Sequence, residues 1–244
     1  DAGALEILNE YKPQIDEISQ QEIGFVLEEA LANPRTSDEG NTAGISVRKN
    51  ETILGNIITD AMRTKAQQFT EKNVVMAIQN GGGIRAAIPA GPVTSGQIIT
   101  VLPYGNTLAL MDLTGEELIA AFEHSVSQFP NESGGFLHVS GAVITFDSTE
   151  EVGSRIVSIE LVDAEGNVTA VNPEDTYTVA TNFFTAKGGD NFTMFENAYA
   201  EGRVHDLGLS DWENLAEHLT SEGFEVPTTL EDRIKDIGAL LTTQ

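Results

Sequence analysis

A glycine-rich loop that follows an apolar segment is the feature of this sequence with the clearest chemical potential. The β-branched, apolar segment 74–78 leads into three consecutive glycines, Gly81–Gly83, and then into Arg85. An apolar run that breaks into glycines is typical of a buried strand ending in a loop whose backbone has no Cβ to keep a ligand away. The planar guanidinium of Arg85 can bind a carboxylate, a phosphate or an aromatic face. We therefore predict a binding site at the end of this strand.

A second segment, 182–190, has the same organisation at the end of another predicted strand. Its paired aromatics, Phe183 and Phe184, precede two glycines and Asp190. An aromatic ring can stack on a base, and a carboxylate can accept hydrogen bonds from two vicinal hydroxyls such as those of a ribose. The alternative interpretation is a core phenylalanine beside a glycine turn.

Two further positions allow both a structural and a binding interpretation. Tyr104 lies in the turn 102–106, where it either packs against the protein or offers a platform to a ligand. Arg48 precedes a predicted helix that begins near Glu51. It could face an anion beside that helix N-terminus, or lie at the surface without a ligand.

The remaining reactive residue types do not indicate a catalytic centre. The sequence has no cysteine, which excludes disulfides, thiolate metal sites and cysteine nucleophiles. It contains no P-loop, nucleophile elbow or HExxH motif. Two histidines on predicted helices, His124 and His218, are interpreted as structural or exposed. None of the four histidines has a familiar metal-site spacing: His124, His138, His205 and His218.

The elements that must position these loops are mixed helices and strands. Capping-box sequences at 94–97 and 114–117 mark two helix starts. The mixture of elements predicts one α+β (mixed α/β) domain with a mixed sheet flanked by helices. Apolar periodicity predicts helices at 4–20, 54–66, 114–126, 210–219 and 229–241, and strands at 22–31, 74–78, 107–113, 136–146, 155–163 and 176–182.

Composition limits the classes of partner. The chain has 244 residues, of which 40% are hydrophobic, and this is enough for one substantial core. The 38 acidic and 13 basic residues give a net charge of −25, which would repel nucleic acid and anionic membranes. A small anion could still bind where arginines gather. No apolar run approaches the roughly 18 residues of a membrane span.

Three loops taken together are more specific than any one of them. The segments 80–85, 102–106 and 184–190 occur in this order and at these intervals in one family, and the chain resembles the C-terminal, substrate-binding domain of the 5′-nucleotidase / UDP-sugar hydrolase family. The resemblance covers roughly residues 20–225. Supporting matches are Val47-Arg48 with 51–56, then 122–126 and 134–141.

The resemblance implies a division of labour between two domains. In the family, an N-terminal metallophosphoesterase domain holds two divalent metal ions and the catalytic residues, and the C-terminal domain binds the nucleoside part of a nucleotide. The motifs of that N-terminal domain are absent here, so we expect no catalytic residue, metal ligand or cofactor in this chain. The resemblance assigns residues 1–20 to a linker helix from the missing domain and 21–244 to the substrate-binding domain. It also implies an extracytoplasmic location, whether periplasmic, secreted or at the cell surface.

The resemblance further implies a nucleotide site. Tyr104, where the family has Phe, and Phe184 would enclose the base, with Phe183 in place of Phe184 if the register differed by one. Asp190 would accept the ribose hydroxyls. The other implied positions are Arg48 and Arg85 near ribose and phosphate, Asn80 and Asn106 at base or ribose edges, and Gly82 for close backbone approach.

Two departures from the family pattern and two alternative functions remain. Ile53 stands where the family has Asn, and His138 where Gln is common; we expect both to affect local packing more than chemistry. The preferred nucleotide stays open because stacking accepts every base. The alternatives are a non-catalytic cell-surface binding module and a related subfamily, such as a cyclic-nucleotide phosphodiesterase or a thiosulfohydrolase-type protein. Both aromatics and Asp190 favour a nucleoside ligand.

Overall fold

A computed structural model describes residues 12–13 and 16–238 of the chain. Residues 16–20 are helical, and the rest of the predicted linker helix lies mostly outside the described residues. The strands are β1 (Glu22–Leu27), β2 (Val74–Asn80), β3 (Gly91–Thr94), β4 (Thr107–Thr114), β5 (Leu137–Ser140), β6 (Ala142–Phe146), β7 (Ile156–Val162), β8 (Val168–Ala170), β9 (Thr176–Asn182), β10 (Val204–Ser210) and β11 (Ile234–Asp236). The helices are α1 (Ile53–Gln67), α2 (Ser95–Val101), α3 (Gly115–Ser125), α4 (Phe183–Ala186), α5 (Thr193–Ala200) and α6 (Asp211–Leu219), with 3-10 turns at Gly81–Gly83 and Gly189–Asn191.

A five-stranded sheet in the order β10-β4-β9-β2-β5 forms the centre of the fold. Strands β2 and β9 are parallel, whereas β4, β5 and β10 run antiparallel to their neighbours. The carboxyl ends of β2, β9 and β10 therefore meet the amino ends of β4 and β5 at one edge of the sheet. The loops 80–85, 102–106 and 184–190, which were predicted to form the site, all lie at this edge.

Both faces of the central sheet are buried, which explains the apolar character of its strands. On β4, Leu108 and Leu110 belong to a core cluster with α1, α2 and α6, whereas Ala109 and Met111 belong to a second cluster with α3 and α5. Successive side chains of a strand point to opposite faces, so one apolar run supplies both clusters. The mixed α/β architecture with helices flanking the sheet agrees with the sequence prediction.

The predicted single strand at 136–146 was wrong, because the chain changes sheets at Gly141. Strand β5 belongs to the central sheet, and β6 belongs to a four-stranded sheet in the order β11-β6-β7-β8. Gly141 has a φ of +78°, a conformation that favours glycine. A Cβ at this position would also overlap the carbonyl oxygen of Val75 and the guanidinium of Arg63. Apolar patterning does not reveal such a break.

The predicted helix from 229 was also wrong within the described residues. Residues 229–233 are not helical, and β11 pairs in parallel with β6. The amide of Ile144 donates to the Arg233 carbonyl at 2.8 Å, which extends this pairing. The remainder of the predicted helix, after residue 238, lies outside the described residues.

The three helix starts that carry a sequence signal agree with the predictions, but only the two capping boxes are formed as side-chain hydrogen bonds. The capping boxes at Thr94 with Gln97 and at Thr114 with Glu117 are both formed. Ser210 precedes α6 as predicted but makes no side-chain capping bond. The carboxylate of Asp211 instead accepts from the amide of Trp212 at 2.8 Å.

Arg233 ties β11 to α1 through a largely buried ion pair. Its guanidinium donates to both carboxylate oxygens of Asp60, at 2.9 and 2.7 Å, and to the carbonyl of Val139 at 3.0 Å. The Arg233 side chain is 10% exposed and that of Asp60 is 30% exposed. Removal of the arginine would therefore leave a carboxylate that is only partly hydrated.

We expect Arg233→Met to lower the free energy of unfolding by about 2–3 kcal/mol, less than the roughly 3–5 kcal/mol typical of a fully buried pair because Asp60 can be rehydrated. Urea denaturation would measure the change. Lys72→Met is the matched control, since Lys72 is 55% exposed in its pair with Asp112 and such a pair contributes below about 1 kcal/mol. Equal losses in the two variants would contradict the prediction.

Candidate functional site

All eight residues that the resemblance assigned to a site line one cavity of about 570 Å³ at the loop-bearing edge of the central sheet. Asn80 ends β2, and Phe184 and Asp190 follow β9. Tyr104 and Asn106 precede β4, so the sheet topology brings these distant segments together. The lining also contains Gly83, from the predicted glycine loop, and Gly134; the resemblance gave neither a role in the site. The full lining is Arg48, Asn80, Gly82, Gly83, Arg85, Tyr104, Asn106, Gly134, Phe184 and Asp190.

A larger and more open groove of about 1050 Å³ lies at the opposite edge of the sheet, near the start of β2 and the end of β5. The basic side chains that line this groove are Arg63 and His218. Its carboxylates are those of Asp60, Asp163, Glu165 and Glu225. The excess of negative charge makes this groove less suited to an anionic ligand than the cavity at the loop-bearing edge.

A buried amide network fixes the orientation of Asn80. Its Oδ1 accepts from Gln79 Nε2 at 3.1 Å, from Asn182 Nδ2 at 3.0 Å and from Thr185 Oγ1 at 3.2 Å. Its Nδ2 donates to Asp190 Oδ2 at 2.7 Å. Because Gln79, Asn80, Asn182 and Thr185 are all buried, these bonds are shielded from water. Asn80 therefore orients the carboxylate of Asp190.

The loop around Asp190 has an unusual backbone conformation. Asp190 has φ 55° and ψ 26°, and Asn191 has φ 66°. Asp and Asn adopt this left-handed region more readily than other residues with a Cβ. The Asp190 carboxylate lies over Gly134: a Cβ added to Gly134 would stand 3.5 Å from Asp190 Oδ1. His124, interpreted from sequence as structural or exposed, is half-buried beside this loop, and its Nε2 lies 2.8 Å from the Asp190 carbonyl oxygen.

Two aromatic side chains of the cavity are unusually exposed. Tyr104 is 60% exposed and Phe184 is 44% exposed. The Phe184 ring packs so closely on Gly189 that a Cβ there would overlap it. Phe183 points elsewhere and packs against Tyr199, with ring centroids 6.0 Å apart. Phe184 is thus the member of the aromatic pair that faces the cavity.

The two arginines that line the cavity form no ion pair within the part of the chain that the structure describes. The Arg85 guanidinium lies 5.9 Å from the centre of the Tyr104 ring and donates to the Gly82 carbonyl at 3.3 Å. The buried Nε of Arg48 has no hydrogen-bond partner among the described residues. Within those residues, neither Arg48 nor Arg85 lies within 4.0 Å of a carboxylate. Burial lowers the pKa of the nearby Arg35, and the charges of Arg48 and Arg85 lower it further.

The glycines of the loop after β2 are required by contacts within the protein. A Cβ on Gly81 would overlap the carbonyl oxygen of Val47, and a Cβ on Gly82 would lie 3.0 Å from the Cα of Gly134. The amide of Gly82 also donates to the Gly134 carbonyl at 2.8 Å. These close approaches bring Arg48 and Gly134 to the cavity. The expected approach of Gly82 to a ligand stays a prediction.

The two departures from the family pattern both lie in packed surroundings. Ile53 is partly buried against the core cluster of α1. His138 is fully buried, and its Nε2 lies 2.8 Å from the carbonyl oxygen of Val47, next to Arg48. Burial lowers the pKa of His138 to about 4, because the charged ring would lose its hydration.

The described residues contain neither a metal-binding cluster nor a membrane-spanning helix. No group of three or more His, Cys, Asp or Glu side chains there is arranged to hold a metal ion. None of the helices described is both long and apolar enough to cross a membrane.

The fold and the site together define a class. The described residues form an α/β domain with an aromatic-lined cavity that carries two arginines. The cavity lies at the carboxyl ends of two parallel strands, where ligands commonly bind in open sheets of this kind. Residues 30–197 match the family described as 5′-nucleotidase, C-terminal domain. The chain belongs to this family.

Similar proteins include larger nucleotidases. The chain is 36% identical over 230 residues to the trifunctional nucleotide phosphoesterase protein YfkN of Bacillus subtilis (strain 168), covering 94% of this chain and 15% of that protein. It is 31% identical over 238 residues to the 5′-nucleotidase of Homo sapiens, covering 93% of this chain and 39% of that protein. The 5′-nucleotidase precursor from Thermus thermophilus has a similar structure, with a TM-score of 0.81, 40% identity and coverage of 97% of this chain and 43% of that one. The chain thus spans less than half of each of these relatives.

Proposed function

We propose that this chain is the nucleotide- or nucleoside-recognition domain of a 5′-nucleotidase-type phosphohydrolase. The main support is the cavity, which combines two exposed aromatic rings, one oriented carboxylate and two arginines that form no ion pair with any of the described residues. In a protein with 38 acidic and 13 basic residues, the lining of this cavity carries two arginines against one carboxylate, which is a local excess of positive charge. Such a combination matches the three parts of a nucleotide.

Each part of a nucleotide has its own contact in this proposal. The base would stack on Tyr104 and Phe184, where each face contributes roughly 1–3 kcal/mol. The ribose hydroxyls would donate to Asp190. The phosphate would accept charge-assisted hydrogen bonds from Arg48 and Arg85, and the unpartnered Nε of Arg48 would gain an acceptor. Asn106 would contact an edge of the base or ribose.

Hydrolysis of the phosphate would require a second domain. We propose that an N-terminal metallophosphoesterase domain supplies the two divalent metal ions, since the described residues of this chain hold no suitable donor cluster. Residues 1–20 would form the linker from that domain, and 21–244 would form the recognition domain. The small share of each relative that the chain covers supports this division. An extracytoplasmic location is part of the same proposal and rests on the family resemblance.

Calorimetric titration of the chain with adenosine, AMP and inorganic phosphate tests the proposal. We expect saturable binding of adenosine and AMP in the micromolar to millimolar range, on the order of what two stacked faces provide. AMP should bind more tightly than adenosine. Added salt should lower the affinity for AMP more than the affinity for adenosine, because salt screens the phosphate contacts. Binding of neither ligand, or equal binding of AMP and inorganic phosphate, would contradict the proposal.

A further inference from the structure

The strained backbone of Asp190 is held from two sides. Its φ of 55° is rare for a residue with a Cβ. Asn80 Nδ2 donates to its carboxylate at 2.7 Å, and His124 Nε2 lies 2.8 Å from its carbonyl oxygen. A carbonyl oxygen only accepts, so His124 must carry its hydrogen on Nε2. The side chain and the main chain of Asp190 therefore have separate anchors.

His124 is itself fixed in place by the core. It lies in the last turn of α3, and its ring meets the edge of Phe192 with centroids 4.6 Å apart at 73°. Phe192 is fully buried and stacks on Phe195 at 4.9 Å. The donor on His124 is consequently rigid relative to the sheet. His124 does not line the cavity, and its hydrogen bond to the Asp190 carbonyl links it directly to a residue that does.

We propose that His124 is a positioning residue that sets the preference of the cavity for ribose by holding Asp190 in its left-handed conformation. This inference rests on the proposed function. Without the bond from His124, the peptide after Asp190 can rotate towards the more favourable right-handed region. The bond from Asn80 to one carboxylate oxygen does not fix the backbone, so the carboxylate would then shift from its place over Gly134 and lose the ribose hydroxyls. Stacking of the base does not depend on Asp190 and would persist.

The test compares adenosine with 2′,3′-dideoxyadenosine, which lacks both hydroxyls, in calorimetric titrations of three proteins. The unaltered protein should bind adenosine about tenfold or more tightly than the dideoxy analogue, as expected for hydrogen bonds to a charged acceptor. His124→Phe keeps the contact with Phe192 but has no donor. It should bind both ligands equally, with the affinity for the dideoxy analogue changed by less than about twofold. His124→Gln offers an amide donor and should restore part of the preference.

The outcomes separate a positioning role from a packing role. Equal weakening of both ligands in His124→Phe would show that the histidine only packs, and an undiminished preference for adenosine would show that it does not act on Asp190. Either result would overturn the inference and leave the proposed function standing. Binding of neither nucleoside to the unaltered protein would overturn both.

A second measurement needs no variant. The ¹⁵N NMR shifts of the His124 ring in the unaltered protein should report a hydrogen on Nε2 at neutral pH. A ring protonated only on Nδ1 would have no donor for the Asp190 carbonyl and would overturn the inference even if His124→Phe failed to fold.

Discussion

Replacement of both Tyr104 and Phe184 by alanine is expected to lower the affinity for adenosine on the order of 30-fold or more. Each aromatic face contributes roughly 1–3 kcal/mol to stacking on a base, and 1.4 kcal/mol corresponds to about tenfold in affinity. Each single alanine variant should therefore lose roughly 5- to 150-fold. Because both side chains are exposed, their loss should leave the urea unfolding curve nearly unchanged. Calorimetric titration with adenosine measures the affinity.

Two variants serve as controls for the loss of aromatic surface. Tyr104→Phe keeps the stacking ring and should retain the affinity for adenosine. Phe69→Ala removes an aromatic ring that is similarly exposed, at 52%, and does not line the cavity. If the alanine variants at Tyr104 and Phe184 bind adenosine as well as Phe69→Ala does, the assignment of the two rings to the base is wrong.

Two buried titratable groups are expected to make stability respond to pH in opposite directions, and His138 is the first. Burial lowers its pKa from 6.5 to about 4. Between these values the unfolded chain binds a proton that the folded protein does not, so stability falls as the pH is lowered through this window. Across the whole window, His138 lowers the free energy of unfolding by about 3 kcal/mol.

Asp211 has the opposite effect over an overlapping range. Burial raises the pKa of its carboxyl from 3.8 to about 7, although the amide of Trp212 donates to it and favours the charged form. The folded protein therefore holds a proton that the unfolded chain releases between these values. Stability is lost as the pH rises from 3.8 to 7, by up to about 4 kcal/mol. The two groups partly cancel in the unaltered protein.

Urea unfolding of His138→Gln and Asp211→Asn between about pH 4 and 8 separates the two contributions. Relative to the unaltered protein, His138→Gln should gain stability as the pH is lowered from 6.5 to about 4. Asp211→Asn should lose stability as the pH is lowered from about 7 to 4. His205→Gln, which changes an exposed histidine, is the control. Curves that run parallel for all four proteins would contradict both assignments.

The buried floor of the cavity is rigid, whereas its opening is exposed to solvent. Asn80, Asn182 and Thr185 are buried and hydrogen-bonded, so the carboxylate of Asp190 is held in a defined position. Tyr104 and Phe184 instead expose much of their rings to solvent. Preorganised polar groups reduce the entropy lost on binding, and exposed rings offer apolar area to cover.

Much of the fold follows from local signals in the sequence. The strand at Thr176–Asn182 was predicted to the residue, and the capping boxes at Thr94 and Thr114 are formed. These features depend on residues within a few positions of one another. The end of β2 at the glycine loop is also determined by such local residues. The sequence was less informative where distant segments compete. At Gly141 the chain passes from one sheet to another. Residues 234–236 were predicted to be helical, but they form strand β11 because they pair with β6.

The sequence by itself determined the family, the strand-end loops and the residue types that can recognise a base, a ribose and a phosphate. Only the tertiary structure decided that Phe184 rather than Phe183 faces the cavity, that Asn80 holds Asp190, and that His124 lies beneath that loop. The physical reason is distance along the chain. Backbone preferences and apolar periodicity are set by near neighbours, whereas His124 and Asp190 meet only after α3 and the loop after β9 pack around the same buried Phe192.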